Sequence, residues 1–227
     1  MKWVSAVFLL VFMVIVALSL EAGRTMTQAK SGSATIVQLP SPEQKGRMSV
    51  EEALARRRSI REFIPQTLTE RELSQLLWAA QGITHPDGLR TAPSAGALYP
   101  LELYVATASG FYDYEPKGHR LTQLSDRDLR ASVRRAALDQ EAITQAPAVF
   151  VIAAVYERTS RKYGAARTPR YVHMEAGHAA ENLLLEAVAL GLGGVPIGAF
   201  DDDALQNDLA LHADCRPLYL IPVGHPR

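Results

Sequence analysis

The sequence predicts one mixed domain, α/β or α+β, in which helices are layered on a sheet. Three observations predict it. Segments of helical period alternate with short apolar, β-branched runs along most of the chain. Apolar residues make up 48% and charged residues 21%, a composition that builds a packed core and argues against disorder. The 227 residues suit one ordinary or one large domain rather than a string of them.

Ser49-Val-Glu-Glu52 has the spacing of a capping box and opens a helix that runs through Arg58. Thr69-Glu-Arg-Glu72 opens another, with Leu73, Leu76, Leu77 and Ala80 on one face and Gly82 as its stop. Leu101 to Ala106 alternates weakly, as a strand does. Phe111 to Leu121 carries Tyr112, Tyr114, Pro116 and Gly118, a hairpin pattern. Ser125 to Leu138 reads as a helix. Val149 to Val155 is continuously apolar, like a strand buried on both faces. Tyr171 to Leu190 reads as a long helix ending at Gly191, followed by a short extended piece from Val195 to Ile197. Asp201 caps a helix around Ala204 to Leu211, and Leu218 to Val223 is a last strand.

Lys+Arg and Asp+Glu are both 24, so the net charge is zero, which disfavours a general nucleic-acid binder. Cys215 is the single cysteine, so no intrachain disulfide and no Cys-based zinc or iron–sulfur site can form. Lys2 precedes an apolar run from Trp3 to Leu20, broken only by Ser5 and Ser19. Residues 1–22 therefore read as a signal peptide or an N-terminal membrane anchor, with a buried core helix as the third option. The expected localisation is extracytoplasmic, membrane-anchored or secreted. Residues 23–47 read as a linker rich in Thr, Ser, Gly and Gln, and 48–227 as the folded domain.

Three segments carry candidate chemistry. Arg56-Arg57-Arg58-Ser59-Ile60-Arg61 offers forked, charged donors and a hydroxyl to a phosphate; it fits equally a solvated basic helix end. Pro93-Ser-Ala-Gly-Ala-Leu-Tyr-Pro100 places small residues where a flat ligand could approach the backbone, or is simply an irregular loop. Gly191-Leu-Gly-Gly-Val-Pro-Ile-Gly198-Ala199-Phe200 permits positive φ and bare N–H donors, or makes a tight helix-to-strand connection. His173 and His178 are five residues apart and diverge by about 140° on a helix, so a shared metal is not expected. There is no GxSxG elbow and no P-loop.

Arg57-Arg-Ser-Ile-Arg61 with Phe63 resembles the opening motif of the nitroreductase-like FMN flavoproteins. Pro93 to Val105, Lys162-Tyr163-Gly164, Glu175-Ala-Gly-His178 with Glu181-Asn182, and Pro196-Ile-Gly-Ala-Phe200 are similar to the SagB/thiazoline-oxidase branch of that family. The likeness runs from about Ser49 to Arg227, and order and spacing carry it more than any one motif.

The resemblance implies an α+β sheet layered with helices, a homodimer, and FMN at the subunit interface. It implies that Arg57, Ser59 and Arg61 hold the FMN phosphate and ribityl chain, a role that Arg58 in the same run would share. Gly198 would offer its N–H near flavin N5, framed by Pro196, Ile197 and Ala199. Lys162 and Tyr163 match the pair that azoline-oxidising relatives use to handle protons. The implied activity is a SagB-type FMN-dependent dehydrogenase moving a hydride between substrate and flavin N5, on a small molecule or a peptide heterocycle. The alternatives are an NAD(P)H-dependent nitro or quinone reductase and a non-catalytic flavin-binding scaffold. One departure bears on this: Ala97 and Tyr99 stand where ordinary nitroreductases carry Asn and Gln.

Overall fold

The computed structural model describes residues 35–227. Its frame is a seven-stranded sheet in the order β1-β4-β3-β2-β5-β7-β6. The strands are β1 (Ile36–Gln38), β2 (Leu101–Thr107), β3 (Gly110–Glu115), β4 (Arg120–Ser125), β5 (Ala148–Val155), β6 (Gly193–Gly194) and β7 (Cys215–Gly224). Every pairing in the sheet is antiparallel, which decides between the two expected classes in favour of α+β.

Helices cover both faces. On one side lie α2 (Glu70–Gln81) and α6 (Thr168–Ala189), against Leu103, Val105, Phe150 and Ile152. On the other lie α3 (Arg130–Ala136), α4 (Ala142–Gln145) and α7 (Asp202–Asp208), against Tyr104, Ala106, Val149 and Val151. Strand β5 feeds both layers, and all but its last residue are buried. Its unbroken apolar run is thus the mark of a central strand between two helical layers. Two further helices, α1 (Val50–Arg56) and α5 (Tyr156–Tyr163), carry candidate site residues at their ends.

Local chemistry sets several boundaries. Thr69 and Glu72 form the reciprocal capping box the sequence predicts. At Ser49 only half of that box exists: its hydroxyl accepts from Glu52 N, while the Glu52 carboxylate pairs with Arg56. Asp201 caps α7 through Ala204 N at 2.9 Å. At the C-cap of α2, Gly82 leaves room that a side chain would not have, since a Cβ there would run into the Trp78 ring.

Three expectations differ from the structure. The stretch expected as a linker, 23–47, contains β1, which pairs with β4, and Leu39, which is 5% exposed in the core. A three-residue edge strand is too short to show a period. The helix expected from Ser125 to Leu138 is only α3, because residues 120–125 pair with β3. The localisation is also corrected. Among the described residues no helix is long and apolar enough to cross a membrane. The apolar segment 1–22, on which the extracytoplasmic, membrane-anchored or secreted expectation rested, lies outside the described residues.

Candidate functional site

The basic run begins where α1 ends. Beyond Arg56 the backbone becomes extended, and Ser59 forms a parallel bridge with Gly194. Ile60 N donates to Gly194 O at 3.0 Å. Glycine is required here for space. A Cβ on Gly193 would meet Ile60 Cγ1 at 2.6 Å, and one on Gly194 would meet Pro222 O at 3.1 Å. The expected positive φ holds only for Gly191 in this segment, at 74°. Two bare residues therefore seat the basic run against the segment that leads to Val195-Pro-Ile-Gly198. Ile197 and Leu220 then exchange backbone hydrogen bonds at 2.8 and 3.0 Å. Gly198 is exposed, and the nearest atom to a Cβ there would be Tyr219 Cε1 at 3.9 Å.

The arginines of the run are not equivalent. Arg58 donates to the carbonyls of Ala55 at 3.1 Å and Arg57 at 2.7 Å, closing the end of α1. Arg57 is half-buried and stands 3.6 Å from Glu181. Arg61 has no ion-pair partner among the described residues and lines a cleft of about 410 Å³ with Gln140, Val195, Ile197 and Arg227. Arg227 is held in place, since its N–H donates to Glu62 O at 3.2 Å. Gln140 donates to Ala199 O at 3.1 Å on the wall of the same region.

Lys162 and Tyr163 sit in the last turn of α5, not in a loop as their position after β5 suggests. Lys162 is exposed; Tyr163 is half-buried and packs on Tyr171 of α6 with ring centroids 4.7 Å apart. Both polar tips converge on Gly96, whose Cβ position would lie 2.9 Å from Lys162 Nζ and 2.9 Å from Tyr163 Oη. So the loop between the two prolines and the Lys-Tyr pair, 66 residues apart (162 − 96), form one surface.

That loop is strained. Gly96, Ala97 and Tyr99 all have positive φ, at 65°, 54° and 46°. Tyr99 is held from every side: its N–H donates to Ser94 Oγ at 2.9 Å, and its carbonyl accepts from Arg158 at 3.1 Å. Its hydroxyl accepts from Arg90 N at 3.3 Å, and its ring lies 4.4 Å beneath the Arg90 guanidinium. Arg158 also pairs with Glu102. Beneath the loop, Glu175 is 2% exposed and keeps Oε1 without a hydrogen-bond partner. Burial pushes its carboxyl up to about 7, against the opposing pull of Ser94 and Arg90.

Helix α6 spans both clusters. Glu175 lies beneath the 94–99 loop, and Glu181 faces Arg57; their offset of six positions spans about 9 Å along the axis. Among the described residues no hydrogen bond or ion pair joins Lys162 or Tyr163 to the arginine run. Sequence reasoning missed Glu175 and Arg90 as site residues. The signal for Glu175 was present: a carboxylate in phase with Val172, Ala176 and Ala179, which the structure buries. Arg90 carries no local signal, because Gln81, which accepts from it at 2.7 Å, and Tyr99 meet it only through the fold.

Residues 54–225 match the model of the nitroreductase family. The chain belongs to the nitroreductase family. It is an FMN-dependent oxidoreductase of that family. A Methanocaldococcus jannaschii protein assigned to the nitroreductases is 45% identical over 199 residues, covering 85% of this chain and 98% of its own length. A Ralstonia eutropha crystal structure with the same assignment superposes with a TM-score of 0.78 at 31% identity, covering 86% of this chain and 92% of that one. One from Anabaena variabilis reaches 0.75 at 30% identity and 86% of this chain, which spans 42% of that longer protein. Nitroreductase-family proteins generally bind FMN and are generally dimeric.

Proposed function

We propose that this nitroreductase-family enzyme is a dehydrogenase of the SagB/thiazoline-oxidase type, acting on an azoline-like heterocycle in a small molecule or peptide. The observation that carries the reading is the meeting of Lys162 Nζ and Tyr163 Oη over Gly96, in a loop of small residues whose sequence resembles that branch. Dehydrogenating a carbon removes a hydride and a proton. FMN, when bound, supplies the hydride acceptor at N5. Lys162 and Tyr163 take the proton, and Tyr171 behind Tyr163 fixes its ring.

The donor set fits FMN. Arg57, Ser59 and Arg61 would hold the phosphate and ribityl chain; Arg61 makes no ion pair among the described residues, although Glu62 and Glu141 line the same cleft, and the Arg57 pair with Glu181 is long and half-exposed. Arg58 is engaged at the end of α1 and is the weakest of the four candidates. The exposed, unobstructed Gly198 would present its backbone N–H to the ring, with Pro196, Ile197 and Ala199 alongside. A homodimer with FMN at the interface follows the family, and sedimentation should show a dimer; a flavin-loaded monomer would refute it.

The test is single-turnover flavin bleaching with a thiazoline-containing peptide. Lys162→Ala and Tyr163→Phe should each slow it by about 10²–10⁴-fold while flavin stays bound. Unimpaired bleaching in both variants removes the pair from the reaction. A second reading is NAD(P)H-dependent reduction of nitro compounds or quinones. It is favoured by the assignment of the Methanocaldococcus relative and by the fold shared with the Vibrio harveyi NADPH:FMN oxidoreductase, solved in complex with NAD+ (21% identity, TM-score 0.60). Bleaching by NADPH that both substitutions leave intact, with none by the heterocycle, selects it.

A further inference from the structure

We infer that Arg90 is a positioning residue: by clamping the Tyr99 ring it fixes the 94–99 loop on which Lys162 and Tyr163 rest. The inference rests on the proton-handling reading of that pair. Arg90 reaches Tyr99 from the side of α2. Its Nη1 donates to Gln81 Oε1 at 2.7 Å, and its guanidinium carbon stands 4.4 Å from the centroid of the Tyr99 ring. Gln81 is 2% exposed, and its Nε2 is left without a hydrogen-bond partner. A buried amide with an unmet donor is unfavourable, so the orientation that serves Arg90 carries a local cost. The next residue is fastened as well: Thr91 N–H donates to Gly82 O at 2.9 Å, and its hydroxyl donates to Trp78 O at 3.1 Å. Arg90 is thus a planar cation on a rigid mount, which suits stacking on a ring.

Tyr99 is the joint between that mount and the site. Its N–H donates to Ser94 Oγ at 2.9 Å, and Ala97 N–H donates to Ser94 O at 3.0 Å, so the loop is closed on itself. The Tyr99 carbonyl accepts from Arg158 at 3.1 Å, and Arg158 lies on α5, one turn before Lys162. Gly96, Ala97 and Tyr99 all have positive φ, a conformation that persists only where the surroundings over-determine it. Gly96 is the surface on which the tips of Lys162 and Tyr163 rest. The backbone of Tyr99 is therefore tied to the loop and to α5, while its side chain is tied to Arg90. Without the guanidinium, the ring keeps only the contact of its hydroxyl with Arg90 N–H, which is long at 3.3 Å. Tyr99 can then turn about its contact with Arg158, the strained residues relax, and Gly96 moves away from the pair.

The experiment uses the full chain loaded with FMN, as Arg90→Ala, Tyr99→Leu and Tyr99→Phe. The first readout needs no substrate: the rate of Lys162 acetylation by acetic anhydride, measured by peptide mass spectrometry against Lys117. Arg90→Ala and Tyr99→Leu should each change the Lys162 to Lys117 ratio by at least about threefold, the lower end of coupling between residues in contact. Tyr99→Leu removes no charge, so a change there is not an effect of the Arg90 field on the lysine. Tyr99→Phe keeps the ring under the guanidinium and should restore the ratio. An unchanged ratio in Tyr99→Leu or in folded Arg90→Ala overturns the proposal; Tyr99→Leu decides if Arg90→Ala does not fold. A Tyr99→Phe that behaves like Tyr99→Leu also overturns it, because the hydroxyl and not the clamped ring would then hold the loop. The second readout is a mutant cycle in bleaching by the thiazoline peptide. Arg90→Ala should slow it by about tenfold alone and add nothing once Lys162→Ala and Tyr163→Phe are both present. An undiminished penalty in that background overturns the role. If Lys162→Ala and Tyr163→Phe are themselves silent, the proton-handling reading falls, and the acetylation ratio still decides whether Arg90 seats the pair.

Discussion

Replacing Arg57 and Arg61 together by alanine should give folded, colourless protein. The structural cost is small. The contact of Arg57 with Glu181 is 3.6 Å long, with side chains 31% and 48% exposed, so its loss removes at most about 1 kcal/mol. Arg61 loses no ion pair among the described residues. The loss of flavin is large, because each charge-assisted contact to a phosphate contributes about 1.5–3 kcal/mol. Two such contacts amount to about 3–6 kcal/mol, or roughly 10²–10⁴ in Kd. Arg58→Ala is the internal control. Its guanidinium closes α1 on Ala55 O and Arg57 O, so it should lose about 0.5–1.5 kcal/mol of stability with less than about a tenfold change in flavin affinity. Visible absorbance, FMN titration by fluorescence and urea unfolding measure the three quantities separately. Full flavin occupancy in the double variant would refute the assignment, as would an Arg58→Ala that sheds as much FMN as Arg57→Ala.

Gly96→Ala should slow turnover sharply with flavin retained and about 1 kcal/mol of stability lost; its φ of 65° disfavours a Cβ, which would also displace Lys162 and Tyr163. Single-turnover bleaching beside a thermal melt separates the two effects. Gly82→Ala should cost about 1–3 kcal/mol in urea unfolding although its φ of −64° is ordinary, because the new methyl meets Trp78; a neutral result would show that the Trp78 ring moves aside freely. The pH dependence of stability follows from Glu175 and Asp113, whose carboxyls burial pushes up to about 7 from 4.5 and 3.8. Between those values the folded chain holds more protons than the unfolded one. Stability should therefore fall as pH rises from about 4.5 to 7, by up to about 1.4 kcal/mol per pH unit for each group. Urea midpoints across pH 5–7 test this, and in Glu175→Gln the slope should shrink.

The features legible in the sequence are those fixed by neighbouring residues. The capping box at Thr69, the cap at Asp201 and the doubly buried run of β5 follow from chemistry within a few positions. What was not legible depends on distant partners. Strand β1 exists only because β4 offers it an edge, and Gly193 and Gly194 are glycines because Ile60 and Pro222 press on them. The motif at 191–198 was visible, but its physical reason was not. Lys162 and Tyr163 were found by resemblance, while the surface that gives them a common purpose, Gly96, lies 66 residues earlier (162 − 96).

Broken local rules are a guide to the site only where they coincide. Leu138, Asp139, His119 and Ala210 also have positive φ, yet they stand singly or paired just beyond α3, in the β3–β4 turn and just after α7, where such turns are ordinary. The 94–99 loop differs in kind. Two non-glycine residues at positive φ, an acid with an unpartnered oxygen, a guanidinium drawn off to a ring, and the tips of a lysine and a tyrosine meet there. Folding alone needs none of these together, and each carries a local cost. Their convergence on one loop beside α6 marks the place where stability has been exchanged for geometry, which is why a substitution at Gly96 should affect reactivity more than stability.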